Sequence, residues 1–153
     1  KLEGEKYSLK HEKSFIIRTS WVFGMGNNNF CKQVINWSKS RDTLKIVDDQ
    51  VSSPTYSKDL AEFSWDLIQT DKFGLYHFSN SGEASKYEQA EYILKKIDWN
   101  GKLERAKTDD FPLKAKRAKY SKLDSSKIEK LLNKKIPYWK EGIDRFLEEY
   151  KNI

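Results

Sequence analysis

The chain has 153 residues, of which 34% are charged and 14% aromatic, with five Trp and a formal net charge of +6. That length carries a compact domain with a real core, and the composition excludes a disordered or fibrous protein. A single cysteine, Cys31, and two isolated histidines, His11 and His77, exclude a disulfide framework and a His/Cys zinc site, so no metal is expected.

The chain opens on Lys1 without a methionine, and "KLEGEKYSLKHEK" reads as the later turns of a helix whose N-cap lies upstream, so a preceding segment is expected. Phe15 to Phe23, rich in β-branched and aromatic residues, predicts a core strand running into a Gly24 to Asn29 loop. Phe30, Val34 and Trp37 share one face of a helix that begins at Phe30. Leu44 to Val47 predicts a short strand, followed by the polar loop "DDQVSSPTY". A helix from Lys58 aligns Leu60, Phe63, Leu67 and Ile68, and Gly74 to Asn80 predicts a second core strand. Ser85 and Glu88 have the spacing of a capping box for a helix running to Ile97. Asp124 is the expected cap of a short helix through Leu132. Pro137 precedes a last helix with Trp139, Ile143, Phe146, Leu147 and Tyr150 inward.

No apolar run approaches the roughly 20 residues a membrane helix needs, and no signal peptide is visible, so neither a membrane partner nor export is expected and the cytoplasm is the default compartment. Positive charge concentrates in residues 101–140, which hold thirteen Lys and Arg against five Asp and Glu. Such a patch suits nucleic-acid phosphates, the phosphates of a small ligand, or a solvated face. Phe111, Tyr120 and Tyr138 are too sparse to form a base-stacking platform, so no nucleic-acid partner is expected. Asp48 and Asp49 point opposite ways on an extended segment and do not form an acid/base pair, while Cys31 and His77, without partners in spacing, read as structural.

Strands alternating with helices argue for an α/β fold with a parallel sheet, but two convincing core strands are too few for an independent doubly wound sheet. The chain therefore reads as part of a larger unit. "KLEGE", "RTSWVFG", "GNNNF", "VDDQVSSPTYSKDLAE", "YHFSNSGEASKYEQAEYI" and "KAKRAKYSKLDSSKIE" run in the same order as in the dTDP-4-dehydrorhamnose reductase family of extended short-chain dehydrogenases/reductases. The chain resembles the C-terminal half of such an enzyme along essentially its whole length.

The resemblance implies the last strands of a Rossmann-type parallel sheet, mainly residues 1–24 and 58–80. It also implies a smaller α/β sugar-nucleotide-binding domain, mainly 25–57 and 81–153. It implies a missing N-terminal Rossmann half whose glycine-rich turn holds the pyrophosphate of NADPH or NADH. The family's catalytic tyrosine precedes a lysine by four residues, which places the lysine at Lys1 and the tyrosine upstream of the chain. Lys1 would orient the nicotinamide ribose and lower the phenol pKa from the same helix face. Thr19 and Ser20 would border the nicotinamide. Trp21 would wall the sugar with a flat apolar face. Asn28, Asn29 and Phe30 would contact the nucleotide at a helix N-terminus. Gln50 would line the pocket, and the Arg117 fork would pair with the diphosphate, with Lys114, Lys116 and Lys119 as solvated neighbours. Without the resemblance, Trp21 reads as core, "GNNNF" equally as a turn with an Asn cap, and Lys1 as an exposed terminal lysine. The implied reaction is hydride transfer from NAD(P)H to the 4-keto carbon of dTDP-4-dehydro-L-rhamnose, with the fragment alone inactive; a homodimer is one candidate assembly. A non-catalytic sugar-nucleotide-binding or regulatory subunit of the same fold is the alternative.

Overall fold

Helices and strands alternate along the chain in the computed structural model, which describes residues 1–26, 28–111 and 117–152. Helix α1 (Leu2–Ser8) leads into β1 (Phe15–Arg18) and β2 (Val22–Phe23), and α2 (Phe30–Ser38) into β3 (Thr43–Val47). The dipeptide strands β4 (Val51–Ser52) and β5 (Thr55–Tyr56) precede α3 (Ser57–Ile68), β6 (Gly74–His77) and β7 (Ala84–Ser85). Then come α4 (Lys86–Lys96), β8 (Lys102–Ala106), a 3-10 turn at Thr108–Asp110, α5 (Ser126–Leu132) and α6 (Trp139–Lys151).

The class is α/β with short parallel pairs. Strand β1 lies parallel to β6 with Phe15 opposite Gly74, β2 parallel to β5, and β3 parallel to β8 with Thr43 opposite Lys102; β4 and β7 are antiparallel. The predicted strand from Phe15 to Phe23 is in fact two. Between them Trp21 takes a φ of 44°, a left-handed conformation that breaks the ladder and hands the chain from one partner strand to another. Strand β8 went unpredicted because "KLERA" has little apolar content of its own and is a strand only by virtue of pairing with β3.

Local signals hold where their chemistry is local. The Ser85 hydroxyl accepts from the Glu88 amide at 3.1 Å and the Glu88 carboxylate accepts from the Ser85 amide at 2.6 Å, closing the capping box of α4. Asp124 accepts from the Ser126 amide at 2.9 Å, but Ser125 occupies the N-cap position, so Asp124 sits one residue ahead of its predicted place. Helix α1 buries none of its residues; Glu5 ties it to the end of β1 through Arg18, at 2.6 Å.

Two apolar clusters form. The larger joins Phe23, Val34, Leu44, Ile93, Ile143 and Phe146 from β2, α2, β3, α4 and α6. The second joins Phe63, Leu67, Tyr76, Phe78, Ile128 and Ile136, so α5 packs with α3 and β6. Each such side chain, fully buried, contributes about 1.5–3 kcal/mol. A polar staple spans the clusters. Asn80 accepts from the Tyr56 amide at 2.7 Å and donates to Asp59 at 2.6 Å, and both Asp59 oxygens accept from the Arg145 guanidinium at 2.7 Å.

Candidate functional site

The loop before α2 is closed by its own side chains. Asn29 caps the helix, its oxygen accepting from the Lys32 amide at 3.1 Å while its NH2 donates to the Gly24 and Gly26 carbonyls at 2.8 and 2.9 Å. Asn28 accepts from the Gln33 side chain at 2.9 Å, and Asn27 lies outside the described residues. Phe30 then meets Trp37 edge to face, with ring centres 6.3 Å apart, forming an aromatic wall on α2.

The facing loop, residues 48–53, is anchored on three sides. Asp49 accepts from the Thr108 amide and hydroxyl at 3.0 and 2.7 Å, and Asp48 from Lys107 at 2.8 Å. The Lys107 ammonium holds the Asp48 carboxyl below its ordinary range, and the Thr108 hydroxyl does the same for Asp49. Gln50 donates to the Thr108 hydroxyl at 3.0 Å. Ser52 donates to the Ser121 carbonyl at 3.0 Å and Ser53 to the Gly82 carbonyl at 2.6 Å. The Val51 amide donates to the Lys119 carbonyl at 2.8 Å and the Ser121 amide to Val51 at 2.9 Å, which fixes the segment that follows Arg117.

Between these walls lies a cavity of about 670 Å³ lined by Trp21, Phe30, Gln50, Lys86 and Arg117 among others. Small-molecule sites run to roughly 300–1,000 Å³. The fold thus brings together four of the predicted site residues, Trp21, Phe30, Gln50 and Arg117. Trp21 is half-buried, and its left-handed backbone is an outlier for so large a side chain, of the kind that concentrates at ligand sites. Lys1 and Thr19 are exposed and do not line this cavity; the Ser20 hydroxyl is engaged by the Ser53 carbonyl at 2.8 Å. Asn28 and Asn29 border the loop outside it, and the predicted neighbours Lys114 and Lys116 lie outside the described residues.

Lys86 was not predicted. Its ammonium sits 3.7 Å from the centre of the Trp21 ring and 4.3 Å from that of Phe30. Burial pushes it down to about 7, against a smaller opposing influence of Cys31. One sequence signal was available: Lys86 is the first residue of α4, where a cation runs against the helix dipole and asks for another reason to be there. Cys31 beneath it is fully buried, which pushes its thiol up to about 12 and leaves it protonated at neutral pH.

Part of the basic third is paired within the fold. Lys102 pairs with Glu104 at 2.6 Å, Lys122 with Glu83 at 3.2 Å, and Lys134 with Glu62 and Asp66 at 2.6 Å. Among the described residues, Arg117 and Lys86 have no carboxylate partner, and both line the same cavity.

A family model described as RmlD substrate binding domain matches residues 1–152. The chain is 36% identical over 149 residues to the spore coat polysaccharide biosynthesis protein SpsK of Bacillus subtilis (strain 168), covering 97% of this chain and 52% of that protein. It is 36% identical over 156 residues to a dTDP-4-dehydrorhamnose reductase of Aggregatibacter actinomycetemcomitans, covering 94% and 53%. A crystal structure of dTDP-4-dehydrorhamnose reductase from Bacillus anthracis str. Ames, in complex with NADP, matches with a TM-score of 0.90 and 37% identity over 97% of this chain and 52% of that one. The chain spans about half the length of the curated relatives it matches.

Proposed function

The chain belongs to the RmlD substrate binding domain family, and on that footing we propose that it is the C-terminal, sugar-nucleotide-binding half of an NADP-dependent reductase that converts dTDP-4-dehydro-L-rhamnose to dTDP-L-rhamnose. The observation that carries this reading is the cavity in which Trp21, Phe30, Gln50 and Arg117 meet. Trp21 walls the deoxysugar, Phe30 and the first turn of α2 receive the nucleotide, Gln50 supplies a polar edge, and the Arg117 guanidinium takes the diphosphate. Asn29, occupied as a cap, contributes by shaping the loop, and Asn28 contributes at the nucleotide end.

Residues 1–24 and 58–80 belong mainly to the cofactor-binding sheet, and 25–57 and 81–153 mainly to the substrate-binding lobe. The carboxyl ends of β1 and β6 are where a sheet of this kind meets its cofactor. The residues there fit the nicotinamide end of NADP: Thr19 is exposed just beyond β1, and the Glu5–Arg18 pair keeps α1, headed by Lys1, beside that end. When bound, the nicotinamide supplies a hydride to the 4-keto carbon. Lys1 would hydrogen-bond the ribose and Thr19 would border the ring, while Ser20, its hydroxyl held by Ser53, would offer backbone only.

The test is reduction of dTDP-4-dehydro-L-rhamnose by the full-length protein, followed through loss of NADPH absorbance. Turnover is expected there, with binding of dTDP-L-rhamnose but no turnover by residues 1–153 alone. An upstream reading frame lacking a glycine-rich turn and a tyrosine four residues before Lys1 would remove the enzymatic reading.

A further inference from the structure

We propose that Lys86 is a phosphate-binding residue of this cavity, its ammonium held on the faces of Trp21 and Phe30 to meet, with Arg117, the diphosphate of the sugar nucleotide. The inference rests on the sugar-nucleotide reading of the site and adds a residue to it. Its ground is placement. The side chain leaves the first turn of α4, where the Lys86 amide donates to the Gln50 carbonyl at 3.3 Å, and its apolar stem carries the ammonium into the cavity, over the faces of two aromatic rings. Ring faces hold an ammonium in place through their quadrupoles without neutralising it, so the charge stays available to an anion. A carboxylate partner would cancel it, and among the described residues there is none.

The groups around Lys86 leave its proton to the ligand. On its own helix, the Glu88 carboxylate is engaged by the Ser85 amide and hydroxyl. From α2 come the neutral Cys31 thiol and Gln33, and from β3 comes Lys45, paired with Glu104 at 3.7 Å. On the facing loop Asp48 and Asp49 turn to Lys107 and Thr108, and beyond it stands Arg117, a like charge. Burial holds the free ammonium down to about 7, so an arriving phosphate draws a proton onto it. Diphosphate binding should therefore take up a proton near neutral pH and weaken from about pH 6 to about pH 9.

The experiment is titration calorimetry on the full-length protein with dTDP, thymidine and NADP, in two buffers of different ionisation enthalpy. The unmutated protein should bind dTDP with proton uptake. Lys86→Met, which keeps the stem, should lose about tenfold to a hundredfold in dTDP affinity, the range for a hydrogen bond to a charged group. It should also lose the proton uptake, with thymidine and NADP affinities retained and no loss of melting temperature. Lys86→Arg should retain affinity but not the uptake. Unchanged dTDP binding and proton uptake in Lys86→Met would overturn the inference, as would an equal loss for NADP, which would assign Lys86 to the cofactor or to the fold. If the unmutated protein binds no dTDP, the sugar-nucleotide reading itself fails, an outcome distinct from normal dTDP binding that ignores Lys86.

Discussion

Trp21 combines a half-buried indole with a φ of 44°, and each bears on what its replacement should do. A fully enclosed Trp costs about 3–5 kcal/mol when cut to Ala. A cavity wall costs less in folding and more in binding. Trp21→Ala should lower substrate affinity or turnover sharply while denaturant melts shift modestly; a large stability loss with near-normal kinetics would return Trp21 to the core. Arg117 is exposed at the cavity rim, so Arg117→Ala should weaken sugar-nucleotide binding by about 1.5–3 kcal/mol and leave cofactor affinity unchanged. Equal losses for both ligands in calorimetry would make it structural. Lys86 also carries a stability signature. Its folded-state pKa, about 7, lies below the ordinary 10.5, so the unfolded chain binds more protons between those values and stability rises with pH across that window. Lys86→Met should therefore melt higher than the unmutated protein at and below neutral pH, with the advantage vanishing in the alkaline range.

Asp59 on α3 and Arg145 on α6 form a fork-to-fork pair whose carboxylate is 1% exposed. Arg145→Met should cost about 3–5 kcal/mol, because it leaves that carboxylate buried with Asn80 as its main remaining partner, and thermal melts would read the loss. None of this was visible in the sequence, where Asp59 and Arg145 look like ordinary surface charges on amphipathic helices. What was legible follows interaction range. The Ser85–Glu88 box and the inward face of α6 are written within a turn or two of chain, and both stand as predicted. Strand β8 and the break at Trp21 depend on partners far along the sequence, so composition alone missed them. In the candidate site the split is the same. A family-like order of segments pointed to Trp21, Phe30, Gln50 and Arg117, whereas Lys86 becomes part of the cavity only once α4 is laid against the loop before α2.

Two apolar clusters joined by a polar staple should open separately. Native-state hydrogen exchange is expected to group Val34, Ile93 and Ile143 under one opening free energy and Phe63, Tyr76 and Ile128 under another, and a single common value would show one cooperative unit. Yet the clusters are not consecutive stretches of chain. Phe15 pairs with Gly74 and Thr43 with Lys102, so each parallel ladder encloses one strand of the other. During synthesis β1 must wait for β6, and β3 for β8, with apolar edges bare meanwhile and in need of protection from aggregation. A protease cut at any bond between Val47 and Gly74 leaves one strand of each ladder on either piece. The nicked halves should therefore stay associated without a covalent link, and neither lobe can be obtained by scissors alone.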